Sequence, residues 1–141
     1  MKSSTVHVRP YDEGDEGSVV ALWGAVFPDP APRNTPRLVI EEKLKLQRDL
    51  FFVALCDGAV VGTAMGGYDG HRGWLYTVAV RPDMQRRGIG RALVDHVLAA
   101  LAALGCPKVN LQVLPTNAAV VGFYERLGFS VEERISMGRV L

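Results

Sequence analysis

The longest regular pattern of apolar residues runs from Trp74 to Leu104, where a predicted strand is followed by a predicted helix. Residues 74–80 are an apolar run typical of a buried strand, and Pro82 ends it because proline has no N–H for a ladder. From Ala92 onward apolar residues recur at three- and four-residue spacing, which predicts a helix. The basic, glycine-rich turn Gln85–Arg91 joins the two. This order favours phosphate binding, because the first N–H groups of a helix have no internal partner.

The first half of the chain predicts a strand, two helices and a hairpin. Residues 5–9 alternate apolar and polar side chains, and Asp12 or Asp15 is placed to cap a following helix. An exposed, proline-rich loop at 28–34 separates this helix from a second one that begins at Pro36. Further along the chain, strands at 51–56 and 60–65 flank Asp57-Gly58, a strong two-residue hairpin signal, and the glycine-rich stretch 66–73 predicts a long turn.

The last quarter of the chain predicts a strand at 109–113, a short helix at about 118–127 and two closing strands at 129–133 and 137–141. The element order is then β-α-α-β-β-β-α-β-α-β-β. This is a mixed α/β sheet rather than the strict alternation of a doubly wound fold. At 141 residues the simplest organisation is a single domain, 1–141.

Composition narrows the class of protein. Sixteen basic residues against fifteen acidic ones give a net charge of +1, which argues against a general nucleic-acid or membrane-surface binder. Cys56 and Cys106 each lie in or beside an apolar run, which predicts reduced, buried thiols and a cytoplasmic location. The three histidines share no metal-ligand spacing, so no metal site is expected. The amino terminus lacks the apolar stretch of a signal peptide, and no apolar run is long enough for a membrane span.

A second constellation lies near the carboxyl end. Asn117 and Tyr124 are seven residues apart, two helical turns, and so share one face of the short helix. Asn117 either caps this helix or reaches a ligand. A tyrosine keeps its proton to about pH 10, so Tyr124 can donate one near neutrality. The glycine-rich turn alone is a weak signal, since it matches neither a Walker loop nor a dinucleotide fingerprint and a glycine pair is often only a tight turn.

The two constellations together resemble the GCN5-related N-acetyltransferase (GNAT) superfamily. The stretch 78–93 is similar to the acetyl-CoA motif of that family, and 117–129 is similar to its second cofactor segment. The predicted element order also matches, so the similarity covers essentially the whole chain. The stretch 65–73 further resembles a bacterial YpeA-like branch. The resemblance implies a mostly antiparallel GNAT-like sheet with helices on both faces.

The resemblance also implies a cofactor and a mechanism. Main-chain N–H groups of the glycine-rich turn would hold the pyrophosphate of acetyl-CoA, and the strand before it would pair with the pantetheine arm and splay from strand 108–113. An N–H near Val78 or Ala79 would polarise the thioester carbonyl, and Tyr124 would protonate the leaving thiolate; these three are the expected catalytic residues. The acetyl group would pass directly to an amine in a ternary complex. The expected cofactor-binding residues are Val78, Ala79, Val80, Gln85, Arg86, Arg87, Gly88, Ile89, Gly90, Arg91, Asn117, Phe123 and Tyr124.

One departure from the family pattern concerns the general base. Residues 74–80 contain no carboxylate, whereas many relatives carry a glutamate there. The remaining candidates are an ordered water chain, Asp69, His71, or Tyr76 as a holder of water, and water is favoured. For His71, an exposed turn residue is the favoured interpretation over a role as base. Trp23 and Phe27 are more often core residues than pocket residues. The expected acceptor side comprises Trp23, Phe27, Tyr68, Asp69, His71 and Tyr76.

The expected acceptor is a small-molecule amine or a protein amino group, and the family's habit of joining subunits through closing strands allows a homodimer. The alternative function is a non-catalytic module of the same fold that binds acyl-CoA as a sensor or interaction domain. Tyr124 favours the enzyme, and the missing glutamate keeps the alternative open. A nucleic-acid binder is disfavoured by the overall charge.

Overall fold

The computed structural model describes residues 5–141, which form two compact units, one ending at Leu111 and the other spanning 112–141. The first unit contains, in chain order, β1 (Val6–Pro10), α1 (Glu16–Val26), α2 (Pro36–Lys45), β2 (Phe51–Cys56), β3 (Ala59–Tyr68), β4 (Gly73–Val80), α3 (Ile89–Ala103) and β5 (Val109–Asn110). The second unit contains α4 (Ala118–Arg126). Whether the chain acts as one domain, as its sequence predicts, stays a prediction.

The sheet of the first unit has the order β1-β2-β3-β4-β5. All neighbouring strands are antiparallel except β4 and β5, which are parallel. Asp57 and Gly58 both have positive φ, 51° and 81°, as the tight turn between β2 and β3 requires. The predicted hairpin and the mixed, mostly antiparallel sheet are therefore confirmed. β3 extends to Tyr68, so the glycine-rich turn that follows it is shorter than its composition suggests.

Helices cover both faces of the sheet because alternate residues of β3 point to opposite sides. A Cβ placed on Gly66 would lie 2.7 Å from Cγ1 of Val97, so the close approach of α3 requires glycine there. On the other face, Met65 belongs to a core cluster with residues of α1 and α2. This cluster consists of Tyr11, Val19, Leu22, Trp23, Ile40, Phe51, Val53, Met65 and Ala79.

The carboxyl-terminal segment departs from its predicted structure. Alternation at 129–133 and 137–141 predicts two closing strands, but the described residues after α4 contain no strand. Ile135 and Met137 are each 91% exposed, and Val131 is 77% exposed. Alternation shows which side chains of a strand would share a face, but a strand also needs a neighbour for its main chain. The predicted strand at 109–113 is likewise reduced to β5, Val109–Asn110.

No helix among the described residues combines the length and the apolar character that crossing a membrane requires. Both cysteines are free thiols; Cys56 is buried, as predicted, whereas Cys106 is partly exposed.

A partly buried ion pair links β1 to the start of α1. Asp12 and Asp15 form a capping box around a short 3₁₀ turn at Glu13–Asp15, and α1 starts directly after it. Arg9 donates from both terminal nitrogens to the Asp15 carboxylate, at 2.7 and 2.9 Å, and the main-chain N–H of Asp12 donates to it at 2.9 Å. Mainly through the bond from Arg9, this environment lowers the pKa of Asp15 below its ordinary value.

Replacing Asp15 should therefore make the protein less stable in a pH-dependent way. A carboxylate with a lowered pKa stabilises the fold above its unfolded pKa and loses that effect as pH falls through its folded pKa. We expect D15N to lower the free energy of unfolding by about 1–3 kcal/mol at pH 7. Urea unfolding of both proteins at neutral and acidic pH checks this. The gap should narrow toward acid, and a gap independent of pH would contradict the assignment.

Candidate active site

β4 carries an irregularity at its centre. Tyr76 pairs with Met65 and Ala79 pairs with Thr63, so two residues of β4, Thr77 and Val78, stand opposite one residue of β3. Thr77 has φ 54°, an unusual value for a β-branched side chain. This is a β-bulge, which bends a strand and turns its peptide groups out of the regular ladder. The bulge includes Val78, one of the two residues whose N–H is expected to face a thioester, and directly precedes the other, Ala79.

A buried chain of hydrogen bonds holds the bulge. The indole N–H of Trp23 donates to Thr63 Oγ1 at 2.8 Å, and Thr63 Oγ1 donates to the carbonyl oxygen of Thr77 at 3.1 Å. Trp23 is 2% exposed and Thr63 fully buried. A bulge peptide loses its regular partner in the ladder. The Thr63 hydroxyl therefore supplies the hydrogen bond that the carbonyl of Thr77 would otherwise lack. The first helix of the chain is thereby linked to the shape of the central strand.

This arrangement predicts distinct effects for two substitutions of Thr63. We expect T63V, which keeps the shape but removes the hydroxyl, to lower the free energy of unfolding by about 1–3 kcal/mol, since it leaves two buried groups without a partner. T63S retains the hydroxyl and should restore most of the loss. Thermal and urea unfolding of the two variants measures the difference. Equal destabilisation by both would show that packing, and not the hydroxyl, matters here.

β5 pairs with only the first part of the outer edge of β4. In the described residues β5 pairs with β4 only at Gly73–Val109 and Trp74–Asn110. Beyond Trp74 the strand continues to Val80 without a β5 partner. Unpaired main-chain groups at such an edge can accept an extended ligand as an added strand. Ala79 points into the core, whereas Val78 and Val80 are half-buried.

β4 leads through a 3₁₀ turn at Pro82–Met84 into the exposed residues 85–88. Gly88 is the N-cap of α3 with φ 78°, and Arg86 also has positive φ, 64°. The N–H of Ala92 makes the first bond of the helix, to the carbonyl of Gly88 at 3.1 Å. The N–H groups of Ile89, Gly90 and Arg91 therefore precede the helical ladder. Ile89 is buried and anchors the start of the helix.

The chemistry of this loop fits a diphosphate. Its donors are main-chain amides at the positive end of a 15-residue helix. A Cβ added at Gly88 would meet nothing within 4 Å, so the space above the loop is open. Not every arginine nearby is available, because Arg81 binds Asp83 at 2.6 Å and Arg91 lies 3.8 Å from Asp95. Gln85 donates to the carbonyl of Val80 at 3.4 Å, which ties the loop to the end of β4.

The second unit places the other predicted cofactor residues on α4. Asn117 is the N-cap residue, but its side chain makes no capping bond and is exposed, which leaves its amide available to a ligand. Tyr124 is 9% exposed and packs edge-to-face against Phe123 and Phe129, with ring centroids 4.9 and 5.6 Å apart. Burial raises the pKa of Tyr124 to about 12. Its hydroxyl therefore holds a proton throughout the neutral range.

The expected acceptor-side residues have different environments. Trp23 is a core residue rather than part of an open pocket, because its ring lies 6.0 Å from that of Phe51 and its N–H is bound to Thr63. Phe27 follows α1 and is 39% exposed. Tyr68 ends β3, where its main chain makes two 2.9 Å bonds with the side-chain amide of Gln47.

Two of the candidate bases lie in the turn between β3 and β4. Asp69 accepts the main-chain N–H groups of His71 and Arg72, each at 2.8 Å. These bonds lower the pKa of the carboxyl and make Asp69 a weaker base. Its carboxylate shapes the turn, and the side chain of His71 is exposed. Tyr76, the remaining candidate, is 40% exposed on the α1 side of β4.

Lys43 contacts Tyr76, one of the candidate bases, and the sequence analysis did not single it out. It is 8% exposed on α2, and its Nζ donates to the carbonyl of Gly66 at 2.6 Å and to the hydroxyl of Tyr76 at 3.2 Å. Burial lowers the pKa of Lys43 to about 8. In the sequence it stands among Glu41, Glu42 and Lys45 and looks like part of a solvated face. The available signal was its spacing of three from Ile40, which places it on the apolar side of the helix.

Comparison with known proteins agrees with this geometry. Residues 17–129 match the model of the Acetyltransferase (GNAT) family. Acetyltransferase YE1169 of Yersinia enterocolitica is 40% identical over 136 residues, which are 96% of each chain. Acetyltransferase ECA0875 of Pectobacterium atrosepticum is 41% identical over the same share of each chain.

Solved structures share the fold at lower identity. The aminoglycoside N-acetyltransferase AAC(6')-Iy, solved with CoA, superposes with a TM-score of 0.81 at 23% identity, over 99% of this chain and 97% of that one. The PaiA N-acetyltransferase of Thermoplasma acidophilum, solved with coenzyme A, gives 0.79 at 17% identity over 93% of each chain. The chain belongs to the GNAT family and is an acyltransferase whose acetyl donor is acetyl-CoA.

Proposed function

We propose that this enzyme transfers the acetyl group of acetyl-CoA directly to an amine within a ternary complex. The observation that carries the proposal is the continuity of three features along one stretch of chain. The part of β4 without a β5 partner, the bulge at Thr77 and the main-chain amides that precede the helical ladder of α3 follow one another between residues 75 and 91. Each matches a different part of the same long ligand: pantetheine arm, thioester and diphosphate.

Acetyl-CoA supplies a thioester, in which the acetyl carbonyl is activated toward attack by an amine. Amides from Arg86 to Arg91 hold the diphosphate in this proposal, with support from the side chains of Gln85, Arg86 and Arg87. The main chain of Val78, Ala79 and Val80 aligns the arm as a strand would. An N–H of Val78 or Ala79 stabilises the negative charge that develops on the carbonyl oxygen.

The proposal also assigns roles to three residues of the second unit. Tyr124 protonates the leaving thiolate, a role that its protonated hydroxyl supports. The side-chain amide of Asn117, which makes no capping bond, and the ring of Phe123 contact the acetyl donor in this proposal. The two units act as one acetyltransferase domain in this proposal, because the region that matches the family model crosses the boundary between them.

The acceptor is proposed to be a small-molecule amine, with a protein amino group as the second option. One structural relative is named an aminoglycoside N-acetyltransferase, which supports a small-molecule amine as the acceptor. The exposed parts of Phe27, Tyr68, His71 and Tyr76 are proposed to line the acceptor side. The two free thiols favour a cytoplasmic location, and a homodimer stays part of the proposal.

The test begins with binding and proceeds to chemistry. Acetyl-CoA at a hundred times its dissociation constant should stabilise the protein by about 2.7 kcal/mol, which a thermal shift assay detects. Acetyl-pantetheine, which lacks the diphosphate, should give a much smaller shift. Thiol release with a panel of amines then measures transfer. A full acetyl-CoA shift without thiol release from any amine would support the alternative, a non-catalytic acyl-CoA sensor.

A further inference from the structure

We propose that Lys43 and Tyr76 together accept the proton that the acceptor ammonium must lose before attack, in place of the carboxylate that β4 lacks. This inference rests on the proposed function. Proton acceptance is required because an alkylamine has a pKa near 10 and carries no free electron pair while protonated. No carboxylate occurs between Trp74 and Val80, and the carboxylate of Asp69 is bound within its own turn.

The geometry connects a buried amine to the part-buried hydroxyl of a tyrosine that is itself partly exposed. Nζ of Lys43 is 3.2 Å from the hydroxyl of Tyr76, and both groups are in reach of the carbonyl of Gly66. The aromatic ring of Tyr76 also lies under the lysine, 5.5 Å from Nζ to the centroid. Lys43 is thus enclosed by these groups, whereas Tyr76 is 40% exposed. A proton would reach Lys43 through the hydroxyl of Tyr76.

The position along β4 is suitable for this chemistry. Tyr76 precedes the bulge residue Thr77 and lies two residues from Val78, whose N–H is proposed to polarise the thioester carbonyl. In this proposal the amine that attacks the carbonyl gives its proton to the Tyr76 hydroxyl, directly or through one water. The hydroxyl points to the face of the sheet that α1 and α2 cover, opposite α3.

The electrostatic environment of Lys43 is that of a base. Its ammonium makes no ion pair with a carboxylate among the described residues, and the only titratable group recorded at its Nζ is Tyr76. Burial disfavours its charged form and lowers its pKa to about 8. A substantial fraction of Lys43 is then neutral at slightly alkaline pH, whereas an ordinary lysine, with a pKa of about 10.4, is not.

The proton transfer balances without another reactant. The acceptor ammonium gives one proton to the oxygen of Tyr76, while the proton of that hydroxyl moves to the free electron pair of Lys43. The acceptor becomes a neutral amine, Lys43 becomes an ammonium, and Tyr76 ends with its proton count unchanged. Lys43 later returns its proton to solvent. The carbonyl of Gly66 holds the ammonium form through the 2.6 Å bond.

The first experiment measures titration independently of catalysis. Lysine labelled with ¹³C at Cε reports the titration of Lys43 by NMR in the full-length protein, with K43M assigning the signal. We expect an inflection near pH 8 that moves in Y76F. A Lys43 that stays protonated above pH 10, or that is indifferent to Y76F, overturns the inference even if acetyl transfer is observed.

The second experiment compares acceptors that differ in protonation. An alkylamine such as phenethylamine needs a base at pH 7.5, whereas an arylamine such as aniline is already neutral. We expect K43M to slow transfer to the alkylamine about a hundredfold and transfer to the arylamine only slightly. K43R, which keeps the charge but not the titration, should behave like K43M. Equal loss with both amines overturns the inference.

Acetyl-CoA affinity is the control for these variants. It should be unchanged in K43M and Y76F, because neither side chain is proposed to contact the donor. Failure of the wild-type protein to acetylate any amine overturns the proposed function, and the inference with it. Normal transfer that is insensitive to K43M overturns the inference alone.

Discussion

The Tyr124→Phe variant should lose turnover while keeping acetyl-CoA affinity. The substitution removes one oxygen from a side chain that is 9% exposed and leaves its contacts with Phe123 and Phe129 in place. A general acid contributes about 10²- to 10⁴-fold to rate, so we expect kcat to fall by at least about a hundredfold. Thiol release measures kcat, and equilibrium titration measures affinity.

Tyr11→Phe is the matched control for this experiment. Tyr11 is also buried, at 5% exposure, and stacks on Phe51 with ring centroids 4.4 Å apart, but it has no proposed role in chemistry. Turnover should be unchanged in this variant. Because burial raises the pKa of Tyr124 to about 12, the wild-type profile should also show no loss of activity from Tyr124 between pH 7 and 10. Normal turnover in Tyr124→Phe would remove the proton-donor role.

The Gly88→Val variant should lose acetyl-CoA affinity. Gly88 has φ 78°, a conformation that a β-branched residue adopts only with strain of about 1–3 kcal/mol. Its added side chain would occupy the open space over the amides at the start of α3. Loss of one charge-assisted bond to the diphosphate costs about 1.5–3 kcal/mol, so the dissociation constant should rise about 10- to 100-fold.

Gly105→Val isolates the part of this effect that comes from strain alone. Gly105 follows the other end of α3, has φ 85°, and likewise has nothing within 4 Å of an added Cβ. Unfolding experiments should show comparable destabilisation of the two variants, whereas titration should show weakened acetyl-CoA binding only for Gly88→Val. Equal affinities in both variants would argue against a diphosphate at the start of α3.

Patterns confined to neighbouring residues were sufficient for most of the fold. Asp57-Gly58 specifies its turn through two residues that tolerate positive φ, and the helical spacing from Ala92 specifies α3 almost to its ends. The start of α3 could also be predicted approximately from the sequence, because proline, glycine and a following apolar stripe are local signals. The family that these motifs indicated is confirmed by the match over residues 17–129.

Features that depend on residues distant in the chain could not be predicted from the sequence. Lys43 is buried because β3 and β4 present the carbonyl of Gly66 and the ring of Tyr76, and no pattern within α2 contains that information. The sequence could not decide whether Trp23 lies in the core or in a pocket. Its bond to Thr63, forty residues away, places it in the core. The two closing strands were wrong for the same reason, since their alternation could not reveal whether another strand adjoins them.

The bulge in β4 also changes the parity of the strand. Tyr76 shares a face with Met65, and three positions later Ala79 shares that same face with Thr63. In an uninterrupted strand an odd step reverses the direction of a side chain, so the inserted residue is what turns alanine, and not valine, toward Trp23 and the core. Deleting a single residue at Thr77 would exchange inward and outward side chains from there to Val80. The protein should therefore tolerate many replacements in this strand far better than a change in its length.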